Sequence, residues 1–281
     1  MASNPVLRNF EKSGQPGVNA RPAGPIAPPP PSADQLDQWY AQPAYGQQPP
    51  SGLAPAAPAR YLTLDDVITR CVILFATVFA AAAVAWFSPS SLQGLFVLVG
   101  IFGGLGLGLY ISITGKANAI NCSIYAALEG LFLGGVSAFF NDRWPGIVVQ
   151  AVTGTILVAG GTLIVYKTGA VRVTPRFTKI VFAATLGAVG LMLVNGLASI
   201  FVSGGLGLRD GQNHLGLAIG FSLLCIVIAA SNLIVDFDTV EQSVRRGVDE
   251  KYGWYLSFGI LVTLVWLYLE ILRMLSYLRN N

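Results

Sequence analysis

The sequence predicts an all-helical membrane protein of seven spans, on three observations. Seven apolar stretches follow one another between Val67 and Leu278, each longer than the roughly 18 residues that a helix needs to cross about 30 Å of hydrocarbon. Only 11% of the residues are charged, where a soluble domain carries about 25%. The connections between stretches are short, which suits spans in series better than buried helices of a soluble core.

A tail precedes the spans. Residues 1–60 hold 13 of the 16 prolines, including the run Pro28 to Pro31, and show no apolar periodicity. Such a segment cannot bury a core and is expected to be disordered, in part as polyproline II. Trp39, Tyr40 and Tyr45 within it read as solvated linker more readily than as a docking patch. Met1 to Phe10 has no apolar run after its basic residues, so no cleavable signal peptide is expected and the first span would do the targeting.

The transmembrane domain is placed at 61–281. Its spans run from Val67 to Phe87, Leu92 to Ile113, Ala119 to Phe140, Pro145 to Tyr166, Thr178 to Val202, His214 to Val235 and Trp254 to Leu278. Gly100, Gly104 and Gly108 recur four apart in the second, and Gly130 with Gly134 repeats the interval in the third. In lipid that spacing lets helix backbones approach. It is not a phosphate-binding loop, because no strand precedes it.

Lys and Arg orient the spans. With the amino terminus inside, thirteen basic residues lie on the cytoplasmic face and four, Arg143, Arg209, Arg273 and Arg279, on the other. That bias and the odd span count predict a cytoplasmic amino terminus and an outside carboxyl terminus. The net charge of +3 is then topological and gives no reason to expect nucleic acid as a partner. Membrane lipid is the expected surrounding, with the basic loop Lys167 to Lys179 in reach of anionic headgroups. Cys71, Cys122 and Cys225 stand at unrelated spacings and His214 is the single histidine, so neither a disulfide framework, a fixed metal site nor a thiol catalytic pair is expected. Nothing suggests a cofactor.

Functional candidates are therefore the ionisable groups at membrane depth, which normally face a polar cavity or a partner. Glu129 lies about 15 Å into the third span at 1.5 Å per residue. It reads equally as a proton-exchanging group and as a structural acid. Glu270 lies about 24 Å into the last span, and Arg273 three residues on offers an intrahelical ion pair. Asp236 and Asp238 close the sixth span; two residues apart they point about 200° from one another, so at most one faces the bundle. Either is an interfacial charge or a carboxylate gate able to hold a hard cation through oxygen.

Three strings carry a family resemblance: Ala127-Leu128-Glu129-Gly130-Leu131-Phe132-Leu133-Gly134, Asp236-Phe237-Asp238-Thr239, and the close from Leu267 to Ser276. In this order along seven spans they resemble the Bax inhibitor-1 family. Ser3 to Leu7 and Arg172 to Pro175 are similar to a bacterial branch, which implies a bacterial plasma membrane. The resemblance implies a central last helix wrapped by two three-helix layers, and a pH-sensitive calcium leak. It also implies a sensor of two aspartates, one ending the sixth helix and one in the seventh, that share a proton in the closed state. Asp238, followed by Thr239, best matches the first; the second position falls on Thr263, which cannot ionise.

The expected function is a pH-sensitive calcium or cation leak gated by membrane carboxylates. Asp238, Glu129 and Glu270 are offered as a ladder, with Asp236 beside it and Arg70 or Lys116 as candidate cationic partners at its inner end. The alternative is a non-enzymatic regulator that binds other membrane proteins, such as a quality-control protease, gripped through the tail. An intramembrane protease ranks last, because Asp236 and Asp238 share one helix end.

Overall fold

The computed structural model describes Ser32 and residues 60–201, 206–208 and 214–279. The proline-rich tail with Trp39, Tyr40 and Tyr45, the motif from Ser3 to Leu7, and Arg209 lie outside the described residues. Seven α-helices follow in order: α1 (Leu64–Trp86), α2 (Ser90–Thr114), α3 (Ala119–Arg143), α4 (Ile147–Lys167), α5 (Pro175–Phe201), α6 (Leu215–Arg245) and α7 (Gly253–Arg279), the last entered through a 3-10 turn at Glu250–Tyr252. All seven are long and apolar enough to cross a membrane, and no strand is formed among the described residues beyond one isolated bridge between Tyr61 and Asp249. If each crosses once, the starts of α1, α3, α5 and α7 share one face, here the near face, with the ends of α2, α4 and α6.

Local chemistry sets the helix ends. At the start of α1 the Asp66 N–H donates to Thr63 Oγ1 at 3.2 Å and the Thr63 N–H donates to Asp66 Oδ2 at 3.0 Å, a reciprocal cap that leaves neither donor bare. The Asn118 side chain accepts from the Asn121 N–H at 2.8 Å and opens α3. Pro175 occupies the first helical position of α5, where its missing N–H costs nothing. Gly115, at φ 66°, closes α2 in the left-handed conformation.

The sixth helix departs from its expected end. It runs to Arg245, so Asp236 and Asp238 are interior residues and do not close it. Polar side chains one turn apart carry the extension: Gln242 donates to Asp238 at 2.6 Å, Arg245 pairs with Glu241, and Arg246 donates to Gln242 at 2.8 Å.

The last helix is central. It packs against α1, α3, α4 and α6. Within its most apolar window 61% of residues are buried, against 17% in α1, α2, α4 and α5, which turn most of their surface outward. The main apolar core gathers Leu74 and Val78 of α1, Tyr125 and Leu133 of α3, and Leu261, Leu267 and Leu272 of α7.

Small residues bring α3 against its neighbours. A Cβ on Gly130 would overlap the Val78 carbonyl oxygen and one on Gly134 the Ala82 carbonyl oxygen, so α1 and α3 touch backbone to backbone there. Gly100 of α2 meets Leu128 and Phe132, Gly104 meets Glu129, and Gly108 meets Tyr125. The glycine stripes are packing surfaces, as their spacing indicated.

Candidate functional site between the sixth and seventh helices

Buried positions along α6 recur at Ile226, Ala229, Leu233 and Val240, the three-and-four spacing of a helix face turned inward. Asp236 stands three residues after Leu233 and four before Val240, on that same stripe. Asp238 does not. The face opposite on α7 carries Leu256, Gly259, Ile260 and Thr263.

There the two helices meet through polar atoms. Thr263, 8% exposed, donates from Oγ1 to Asp236 Oδ2 at 2.7 Å, and the same hydroxyl lies 3.1 Å from the Gly259 carbonyl oxygen one turn back. Gly259 also borders Asp236 Oδ1, with ordinary van der Waals room between them. Asp236 is nine residues from the near end of α6 and Thr263 ten from the near end of α7, so both lie about 14 Å in at 1.5 Å per residue.

A carboxylate in this place has two states. Ionised, it accepts from Thr263. Protonated, it can donate to Thr263 Oγ1 while the threonine proton turns to the Gly259 carbonyl, since a hydroxyl is both donor and acceptor. The contact therefore persists in both protonation states, whereas two facing carboxylates have no donor between them once both are ionised.

The other sequence candidates occupy separate places. Asp238 takes the Gln242 amide on its own helix. Glu129 points from α3 toward Gly104 of α2 and is engaged by Tyr125 one turn before it. Glu270 is buried in α7, 2% exposed, nearer the far end of the bundle. Arg273 follows it, its carbonyl accepting from Ser276 at 2.7 Å. Lys116 is exposed in the turn between α2 and α3. Arg70 is committed elsewhere: its guanidinium donates to the Glu250 carbonyl, lies 5.5 Å from the Trp254 ring centre, and covers Gly253 so closely that a Cβ there would overlap it. It ties α1 to the start of α7. Among the described residues no group of three or more His, Cys, Asp or Glu is placed to hold a metal ion.

A second polar tie, unmarked by the sequence reading, closes the near ends of α4 and α6. Tyr166 donates to Glu241, which also pairs with Arg245. A third joins α3 to α7 through Ser137 and Tyr268, 2.6 Å apart. Isolated hydroxyls in apolar spans carry no spacing signal, so neither tie was legible before the helices were placed.

A family model described as Bax inhibitor 1 like matches residues 4–280. The chain belongs to the Bax inhibitor-1 family. Comparison with curated protein sequences gives no significant match. The match covers the seven-helix body and reaches into the tail. Within this member of the Bax inhibitor-1 family, the position on α7 where the resemblance implies an aspartate is Thr263, and the α6 carboxylate that faces it is Asp236.

Proposed function

We propose that this Bax inhibitor-1 family member is a passive cation leak, with calcium as the first candidate ion, whose closed state is held by the Asp236–Thr263 contact between α6 and α7. One observation carries the reading: a carboxylate placed about 14 Å inside the bundle on the inward stripe of α6, hydrogen-bonded across to the central helix at 2.7 Å. A carboxylate oxygen is the ligand a hard cation prefers, and a single one binds weakly enough to release it. Opening separates α6 from α7 at this point and frees both Asp236 oxygens for the ion.

Protons act through the same group. Any difference in proton affinity between the closed and open states makes the population pH-dependent. Because Thr263 can bond Asp236 in either protonation state, that difference is smaller here than for a pair of acids, and the flux varies shallowly with pH.

The test is calcium influx into dye-loaded liposomes carrying the full chain, between about pH 6 and 8, for wild type, Asp236→Asn and Asp238→Asn. The proposal expects a flux above empty liposomes that Asp236→Asn changes strongly and Asp238→Asn weakly. Folded protein with no flux would overturn it and leave a regulator of other membrane proteins as the reading to pursue, with the tail as bait.

A further inference from the structure

A cavity of about 770 Å³ lies between α1 and α4. Its walls are Phe79 and Ala83 of α1 and Val152 and Gly160 of α4, and its floor is Val265 and Tyr268 of α7. Phe79, Phe87 and Ile156 at the rim are 62%, 84% and 65% exposed, so the cavity opens sideways. Along α1 it extends from Phe75 to Phe87, twelve residues or about 18 Å, more than half the thickness of the hydrocarbon.

The three hydroxyls that line it are already satisfied, Ser137 and Tyr268 by each other and Thr155 by the Ala151 carbonyl. The lining thus asks for no polar atom in its occupant, and at this depth hydrocarbon chain is the available material. Its far end supplies the rest of the chemistry. Val148 lines the cavity there, and three residues before it the Pro145 carbonyl accepts from Arg279 at 2.8 Å. Arg143, stacked 5.7 Å from the Trp144 ring centre, stands beside it with Asp142 as its acidic neighbour in sequence. Arg279 is thus held at the turn that leads into α4 and Arg143 ends α3 on the same turn, and guanidinium groups there match a phosphate whose acyl chain lies in the slot.

We propose that this slot is a binding site for an anionic phospholipid of the far-face leaflet, with one acyl chain against α7 and its phosphate at Arg143 and Arg279. The site differs from a general lipid belt in reaching past α1 and α4 to the central helix. Leu264 and Phe237, chain neighbours of Thr263 and Asp236, line its inner end, so the occupant bears on both helices of that contact. The site stands whether or not the protein conducts.

The experiment reconstitutes the full chain in liposomes containing phosphatidylglycerol or phosphatidylcholine that carries a photoreactive group within the acyl chain, followed by irradiation and mapping of the labelled residues. Labelling of Phe79, Ala83 and Gly160 is expected to exceed, several-fold, that of Ile180, Phe182 and Leu193 on the outward face of α5. A Cβ on Gly160 would meet nothing within 4 Å, so Gly160→Trp fills the slot from α4 and Ala83→Trp fills it independently from α1. Either one, if folded, should remove the slot labelling and spare that of α5. Neutralising Arg143 or Arg279 should reduce the preference for phosphatidylglycerol about fivefold each, the effect of one basic side chain at an anionic surface. Uniform labelling of slot and α5, or slot labelling that persists in a folded filling variant, overturns the site. Slot labelling equal for the two lipids in wild type overturns the role given to the arginines.

Discussion

Thr263 donates to Asp236 across the α6–α7 interface at 2.7 Å, at a position where the family resemblance implies a second acid. A hydroxyl can bond the aspartate in both of its protonation states, whereas two acids in that place must share one proton. Thr263→Asp is therefore expected to steepen the pH dependence of calcium flux, while Thr263→Val, which keeps the shape and removes the hydrogen bond, should raise flux across the whole range. A hydrogen bond to a charged group contributes about 1.5–3 kcal/mol, enough for a tenfold or greater change in open population. Liposome flux measured against pH for both variants checks this. Unchanged flux in Thr263→Val would mean that the contact does not hold the closed state.

The α1–α3 interface predicts a different kind of failure. Gly134 lies against the Ala82 carbonyl oxygen, with the Ala85 Cβ only 2.8 Å from where a Cβ would stand, and backbone cannot swing aside as a side-chain tip can. Gly134→Leu should cost about 3 kcal/mol or more, the upper end of overpacking penalties, and lower the thermal midpoint of the detergent-solubilised protein. Gly160→Leu, with open space around its Cβ, should leave that midpoint nearly unchanged. Comparing the two melts separates close packing from a general cost of losing glycine.

These examples show which features the sequence could express. Span number and helical class follow from long apolar runs, because bilayer thickness leaves few other solutions. The glycine intervals marked packing surfaces on the second and third spans, and the packed bundle shows their partners, α1 for Gly130 and Gly134 and α3 for Gly100. The end of α6 was not legible, since Asp236 and Asp238 read as a span boundary although side-chain pairing carries the helix on to Arg245. Choosing between those two acids was within reach: extending the stripe of Ala229 and Leu233 by three lands on Asp236 and runs on to Val240. What no periodicity encodes is the partner of a lone polar group, so Arg70 with Glu250 and Tyr166 with Glu241 emerge only from the packed bundle.

Arg70 and Gly253 form a coupled pair that mutation can test. Any Cβ at position 253 would displace the Arg70 guanidinium, and Leu62 Cδ1 stands 2.8 Å from the same point. Gly253→Ala should therefore push Arg70 off the Glu250 carbonyl and the Trp254 ring, destabilising the fold by about 1–3 kcal/mol. Arg70→Ala should cost a similar amount by leaving the carbonyl unpaired. In the double variant the two losses overlap, so the sum should fall short of additivity by about 1 kcal/mol or more. Strict additivity in a double-mutant cycle on thermal or denaturant stability would show that the two residues act separately.

The near end of α6 gives a local prediction. Its last turns, from Thr239 to Arg245, keep only Val240, Ser243 and Val244 inward, and their polar tie to α4 rests on Tyr166 donating to Glu241. Glu241 is already paired with Arg245 on its own helix, so removing the tyrosine hydroxyl does not strand the carboxylate. Tyr166→Phe should thus cost below about 1 kcal/mol globally, as for other solvent-accessible ion contacts. Locally the consequence is larger, because those turns lose their one polar hold on a neighbouring helix among the described residues. Amide exchange is expected to quicken at residues 239–245 and to stay unchanged at 226–236, where α6 is buried against α7. Exchange that quickens along the whole of α6 would instead make the Tyr166 contact a support of the Asp236–Thr263 site itself, and calcium flux should then rise in the same variant.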